Sequence, residues 1–166
     1  MKVSSEEFRA FVARRGAQLH RTAYLLCGDW HLANDVVQDT LVKACQHWKR
    51  VQRAESPDAY VQRILVNEVN RTWRRRDKVV VLQGEVDRVP TAPDQTDLAI
   101  ERGELFRALE SLPARQRVTV VLRYLEGWSE RETAGILKCS EGTVKSQSSR
   151  ALHAMKSILE REELVQ

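Results

Sequence analysis

Residues Ser129–Ile158, SERETAGILKCSEGTVKSQSSRALHAMKSI, carry two helix-start signals around one short turn. Ser129 with Glu132 three residues on forms a capping box, so a helix is expected to begin there. Ala134 is small, as a residue must be where two helices cross closely, and Lys138-Cys139 provide the turn. Ser140 can cap a second helix with apolar residues at Val144, Ala151, Leu152, Met155, Ile158 and Leu159, a helical spacing that implies one buried face. The positions left outward are Thr143, Lys145, Ser146, Gln147, Ser149 and Arg150. All six can hydrogen-bond to phosphates or base edges and none is acidic, which is the combination a recognition helix in a DNA groove requires. A plain helical hairpin with a solvated face is the competing reading, but such faces usually mix both signs of charge.

The strand signal is nearly absent elsewhere, so an all-α fold is expected. Ser4-Ser5-Glu6-Glu7 opens a first helix through Phe8, Phe11, Val12, Leu19, Ala23 and Leu26, ended by Gly28. Asp29 caps a second, with Leu32, Val36, Val37, Thr40, Leu41, Ala44 and Trp48 on one face. Ser56-Pro57 starts a third, with Pro at the first helical position. That helix passes Tyr60, Ile64, Leu65, Val69 and Trp73 into a basic run. From about Lys78 to Thr96 the helical period stops among Gly84, Pro90 and Pro93, and Val79–Leu82 is readable either as a short extended piece or as a packed one. Leu98–Leu109 and Pro113–Leu125 form two further helices, the second stopped by Gly127. Two small helical domains are therefore expected, 1–78 and 97–166, joined by a flexible acidic linker over 79–96.

The 166 residues carry a net charge of +4, with a sequence pI near 9.1. The distribution says more than the total. Residues 1–78 hold fifteen Lys/Arg against nine Asp/Glu, 79–103 two against five, and 104–166 ten against nine. A basic front half fits a polyanionic partner. Within it, Arg71, Arg74, Arg75, Arg76 and Lys78 surround Trp73 near the end of the third helix, which also carries Tyr60 and Asn67. Cations there suit the helix dipole, but five so close repel one another unless a polyanion is near. Aromatics beside cations can hold unstacked single-stranded bases.

The sequence carries no catalytic or metal-binding pattern. The histidines form no HxxxH pair, Cys27, Cys45 and Cys139 form no CxxC, and no phosphate-binding glycine loop or nucleophile motif occurs. Asp35 and Asp39 stand one helical turn apart, which on a helix of a small bundle fits a solvated or partner-binding face better than acid–base work. No enzyme activity, metal or cofactor is expected. The polar, acidic MKVSSEEF start and the lack of a long apolar run predict neither a secretion leader nor a membrane span, hence a cytoplasmic, nucleoid-associated protein.

Taken in order, these segments resemble the extracytoplasmic-function sigma factors of the sigma-70 family, over nearly the whole chain and most closely an actinobacterial, sigma-E-like subgroup. NDVVQDTLVKACQHW (Asn34–Trp48) is similar to the family's core-polymerase-binding region 2.2. SPDAYVQRILVNEVNRTWRRR (Ser56–Arg76) is similar to regions 2.3 and 2.4, which melt and read the minus-ten element. LPARQRVTVVLRYLEGWSERETAGIL and CSEGTVKSQSSRAL resemble regions 4.1 and 4.2, which bind the polymerase flap and read the minus-thirty-five element. The resemblance implies a polymerase-clamp contact at Asp35, Gln38, Asp39 and Leu41. It implies minus-ten contacts along the helix bearing Tyr60, Asn67, Arg71, Arg74 and Arg75, with Asn67 at the flipped base. It implies minus-thirty-five contacts at Lys145, Ser146, Ser149 and Arg150, beside Thr143. The implied partners are core RNA polymerase (beta-prime clamp helices and beta flap), promoter DNA and an anti-sigma factor, and the free protein is expected to be a monomer. The chain departs from relatives at Gln147 and Ser148-Ser149, and at Lys138, where the turn often holds glycine. Two rivals remain at this level: a stand-alone helix-turn-helix regulator that binds operators without polymerase, and an adaptor that binds only protein.

Overall fold

The structure, a computed structural model, describes residues 5–83 and 97–165. Among them every regular element is helical. In chain order they are α1 (Ser5–Cys27), α2 (Trp30–Gln46), α3 (Trp48–Arg53), α4 (Pro57–Gln83), α5 (Asp97–Ser111), α6 (Ala114–Val120), α7 (Glu130–Leu137) and α8 (Glu141–Val165). Beyond Val120 the α6 helix widens into a turn of π-helix over Val121–Leu125, closed by the Glu126 N–H donating to the Val121 carbonyl at 2.9 Å.

The boundaries follow local chemistry. Gly28 takes a φ of +67°, which ends α1, and Asp29 then accepts from the N–H groups of His31 and Leu32 at 2.8 and 3.1 Å to start α2. Ser56 Oγ accepts from the Ala59 N–H, and Pro57 opens α4. Two boundaries differ from the sequence-based expectation. Trp48 does not extend α2: His47 breaks the helix and Trp48 begins the short α3, which turns its indole inward against Phe8 and Phe11, with ring centroids 5.3 and 5.5 Å away. The other is the end of α4, which continues to Gln83 and takes Val79–Leu82 with it. No glycine or proline occurs between Pro57 and Gly84, and β-branched residues weaken a helix only slightly. The rest of the expected acidic linker, 84–96 with Asp87 and Asp94, lies outside the described residues.

The front unit packs α1, α2 and α4 together, with α3 bracing α4. Its core includes Leu19, Ala23, Leu26, Val36, Val37, Val51, Val61, Leu65 and Val69. Glu68 is buried on α4 and pairs with Lys43 of α2, so the carboxylate is not left uncompensated. In the second unit α8 lies against α5, α6 and α7, over Leu109, Leu122, Ile136, Val144 and Ala151.

The sequence predicts two helical units joined by a linker. In the structure they dock: α4 packs on α7, and α1 packs on α5 and on the π turn, so that one apolar cluster runs through both. Among the described residues, aromatic and charged side chains reach across the seam. Tyr24 meets Phe106 edge-on at 4.9 Å, and Arg21 forms a two-point ion pair with Glu126 at 2.9 and 3.0 Å. Arg15 lies over Trp128 at 5.6 Å, and Arg117 over Trp73 at 4.8 Å. Arg117 also donates to the carbonyls of Leu109, Glu110 and Leu112 at 2.8, 2.9 and 3.1 Å, satisfying acceptors that the end of α5 leaves open. Replacing Arg117 with Met keeps much of its bulk and removes every donor. This should lower stability by about 2–3 kcal/mol and alter tryptophan emission through Trp73, as urea melts followed by fluorescence would show.

Cys27 is buried at the end of α1, and burial pushes its thiol up to about 11, partly countered by Arg76 and Arg117. The thiolate, the reactive form, is therefore scarce at ordinary pH. Cys45 and Cys139 are only partly buried. At pH 8 iodoacetamide should modify Cys45 and Cys139 well before Cys27 in the folded protein, with all three reacting together in urea; peptide mass spectrometry reads the order.

Candidate nucleic-acid interface

The helix-turn-helix is built as its caps dictate. Ser129 Oγ accepts from the Glu132 N–H at 3.0 Å, and Glu132 accepts from the Ser129 N–H at 2.8 Å. At the other end of α7 Lys138 takes a left-handed conformation, φ 53° and ψ 50°, which swings the chain into α8. Ser140 Oγ then accepts from the Thr143 N–H at 3.1 Å and lies 2.9 Å from the Thr143 hydroxyl. Val144, Ser148 and Ala151 turn inward, while Lys145, Ser146, Ser149 and Arg150 are exposed on the opposite side. These four form one uninterrupted polar surface. Thr143 and Gln147 are half-buried at its edge, and Thr143 is engaged in the cap. Lys145 approaches Glu130 at 3.7 Å, a contact between solvated groups that DNA can displace at little cost. The apolar face of α8 is narrower than its sequence suggests: Leu152 and Leu159 are 43% and 37% exposed.

The second basic surface lies on α4. Asn67, Arg71, Arg74 and Arg75 are exposed and follow helical spacing along one side. Tyr60 is half-buried and packs against the core. Trp73, read from sequence as an aromatic open to bases, is instead half-buried with its ring covered by Arg117 from α6. The sequence held no cue to this, because the covering residue is forty-four positions away.

The acidic surface lies on α2. Asp35, Gln38 and Asp39 are exposed on successive turns. Leu41 packs partly onto the core, and Val42, 55% exposed, is the apolar residue that stands beside the carboxylates. Val42 lies off the apolar face that the sequence marks on α2, and its position three residues after Asp39 places it on the outer face. Among the described residues no three His, Cys, Asp or Glu gather closely enough to hold a metal ion, and no helix is long and apolar enough to cross a membrane.

Both helical units match known protein families. The Sigma-70 region 2 family model matches residues 11–79, and the Sigma-70, region 4 model matches 102–155. The RNA polymerase sigma-E factor of Streptomyces coelicolor is 35% identical over 96% of this chain and 86% of its own length. The ECF RNA polymerase sigma factor SigL of Mycobacterium tuberculosis is 33% identical over 92% of this chain and 88% of its own. Among solved structures, the sigma factor RpoE in complex with the anti-sigma factor NepR, from Bartonella quintana, superposes with a TM-score of 0.80 at 29% identity, covering 93% of this chain and 98% of that one.

Proposed function

The chain belongs to the extracytoplasmic-function sigma factors of the sigma-70 family, and we propose that its three exposed helical surfaces divide the family's work among themselves. As a sigma factor it confers promoter recognition and transcription initiation on core RNA polymerase. Sigma factors are transcription initiation factors. Similarity from end to end with sigma factors also favours this reading over a stand-alone helix-turn-helix regulator.

The observation that carries the assignment of surfaces is the four-residue polar run on α8, Lys145, Ser146, Ser149 and Arg150, exposed directly after a doubly capped turn. In this reading it enters the major groove at the minus-thirty-five element, with Thr143 at its edge. Asn67, Arg71, Arg74 and Arg75 on α4, beside Tyr60, hold the melted minus-ten strand. Unstacking costs a few kcal/mol per step, and capture of single-stranded bases offsets part of it. Asp35, Gln38 and Asp39, with Leu41 supporting from beneath and Val42 adding apolar contact, dock on the beta-prime clamp helices, while the second unit meets the beta flap. An anti-sigma factor is a further partner, supported by the RpoE–NepR complex. The free protein acts as a monomer and works at the nucleoid.

Asp35→Arg combined with Asp39→Arg should leave a folded helical protein that no longer copurifies with core polymerase, because both side chains are exposed. Wild-type yield of the complex would refute the docking surface.

The two cations of α8 separate by salt and sequence dependence. Lys145→Ala should weaken holoenzyme binding to all promoters alike and reduce the salt slope by about one counterion. Arg150→Ala should cost about 1–3 kcal/mol on the preferred minus-thirty-five sequence and less on altered ones. Titrations over a panel of minus-thirty-five variants across salt read both; an unchanged ranking with Arg150→Ala would overturn the docking geometry.

A further inference from the structure

Where the two units meet they enclose a crevice of about 460 Å³. One wall is the α4 side bearing Arg63, Asn67, Asn70 and Arg74; the other comes from the start of α6 and the end of α7, bearing Arg115 and Lys138. Four cationic side chains thus face one cavity, and among the described residues no carboxylate lines it. None of the four makes an ion pair or side-chain hydrogen bond among the described residues. Elsewhere the same seam pairs its charges, as Arg21 does with Glu126. Unpaired like charges brought together by docking repel, and an anion between them removes that cost.

We propose that this crevice is a binding site for a nucleoside di- or triphosphate. The volume falls in the range of small-ligand sites, about 300–1,000 Å³. Two or more phosphates are needed to meet cations on both walls: arginine forks bind phosphate oxygens in pairs and Lys138 adds a point charge. Val118 and Ile136, buried behind the opening, give an apolar bed for a base, and the Asn67 and Asn70 amides supply donors and acceptors for its edge or for ribose hydroxyls. A single DNA strand is the weaker candidate. The cavity needs both units in contact, whereas the two promoter elements are roughly 25 base pairs, or about 85 Å, apart along the duplex. The docked form that makes the crevice is therefore not the form that spans a promoter. A nucleotide bound there favours the docked form by its differential affinity and lowers the population able to engage DNA. That consequence rests on the sigma-factor reading; the binding site does not.

The test uses the full chain free of polymerase, titrated calorimetrically with ADP, pyrophosphate, adenosine and an oligothymidylate. ADP should bind saturably, more tightly than pyrophosphate, with adenosine negligible. Arg115→Ala combined with Lys138→Gly should weaken ADP by about tenfold or more, the worth of one lost charge-assisted bond. Neither residue belongs to the proposed DNA or clamp surfaces, and glycine suits the left-handed backbone at 138. Lys156→Ala, on the far exposed part of α8, should bind ADP as the wild type does. Failure of ADP to saturate at millimolar concentration overturns the site, as does equal affinity in the Arg115/Lys138 double variant. Pyrophosphate binding as tightly as ADP, or oligothymidylate displacing ADP at lower concentration, overturns the nucleotide assignment. Saturating ADP should also slow assembly with core polymerase; an unchanged rate overturns the coupling while leaving the calorimetric result independent of it.

Discussion

Arg117 holds this molecule in its present shape. A helix ends with carbonyls that have no partner within the helix, and a buried end must find donors elsewhere. Arg117 reaches back from α6 and gives its planar fork to three carbonyls at the end of α5. The other face of the same guanidinium lies on the Trp73 ring of α4. One side chain thereby fixes the angle between α5 and α6 and ties both to the front unit. Lysine could not do this: an ammonium is a compact, strongly hydrated charge without a flat face to stack. The remaining seam contacts, Tyr24 with Phe106, Arg21 with Glu126 and Arg15 over Trp128, extend the same junction along α1.

Charge is laid out so that the surfaces do not interfere. The α2 carboxylates Asp35 and Asp39 face outward from the front unit, away from the cations of α4, with the Lys43–Glu68 pair between the two helices. An acidic docking surface and a basic strand-holding surface on one small bundle would otherwise attract each other in the free protein and in other copies. Exposed charges such as these are screened over about 10 Å at 0.1 M salt, so each surface is read by its own partner at close range.

Local signals were legible in the sequence and long-range ones were not. The capping box at Ser129–Glu132, the Ser140 cap and the Ser56-Pro57 start each act within four residues, and each appears in the structure as read. The outward set on α8 followed from the same helical period. The reading went astray where a residue's fate depends on a distant partner. Trp73 reads as open to bases because Arg117, which covers it, is remote in sequence. Leu152 and Leu159 read as core because they share the helical period of the buried face, and that period carries no information on whether a neighbouring helix reaches them. The end of α4 was placed five residues early because valines weaken a helix without breaking it. The similarity to sigma factors supplied the roles of the surfaces; the residues alone gave only their chemistry.

Lys138 occupies a backbone conformation that costs a side-chain-bearing residue about 1–2 kcal/mol more than it costs glycine. For turn geometry alone a glycine would serve better, so drift toward stability would erase this lysine unless its charge is under selection. The position is therefore an internal gauge of what the protein has been selected for. A descendant that keeps a cation here, through mutations that could have relaxed the turn, is being selected for electrostatics at the seam; one that has gone to glycine has been released to optimise folding.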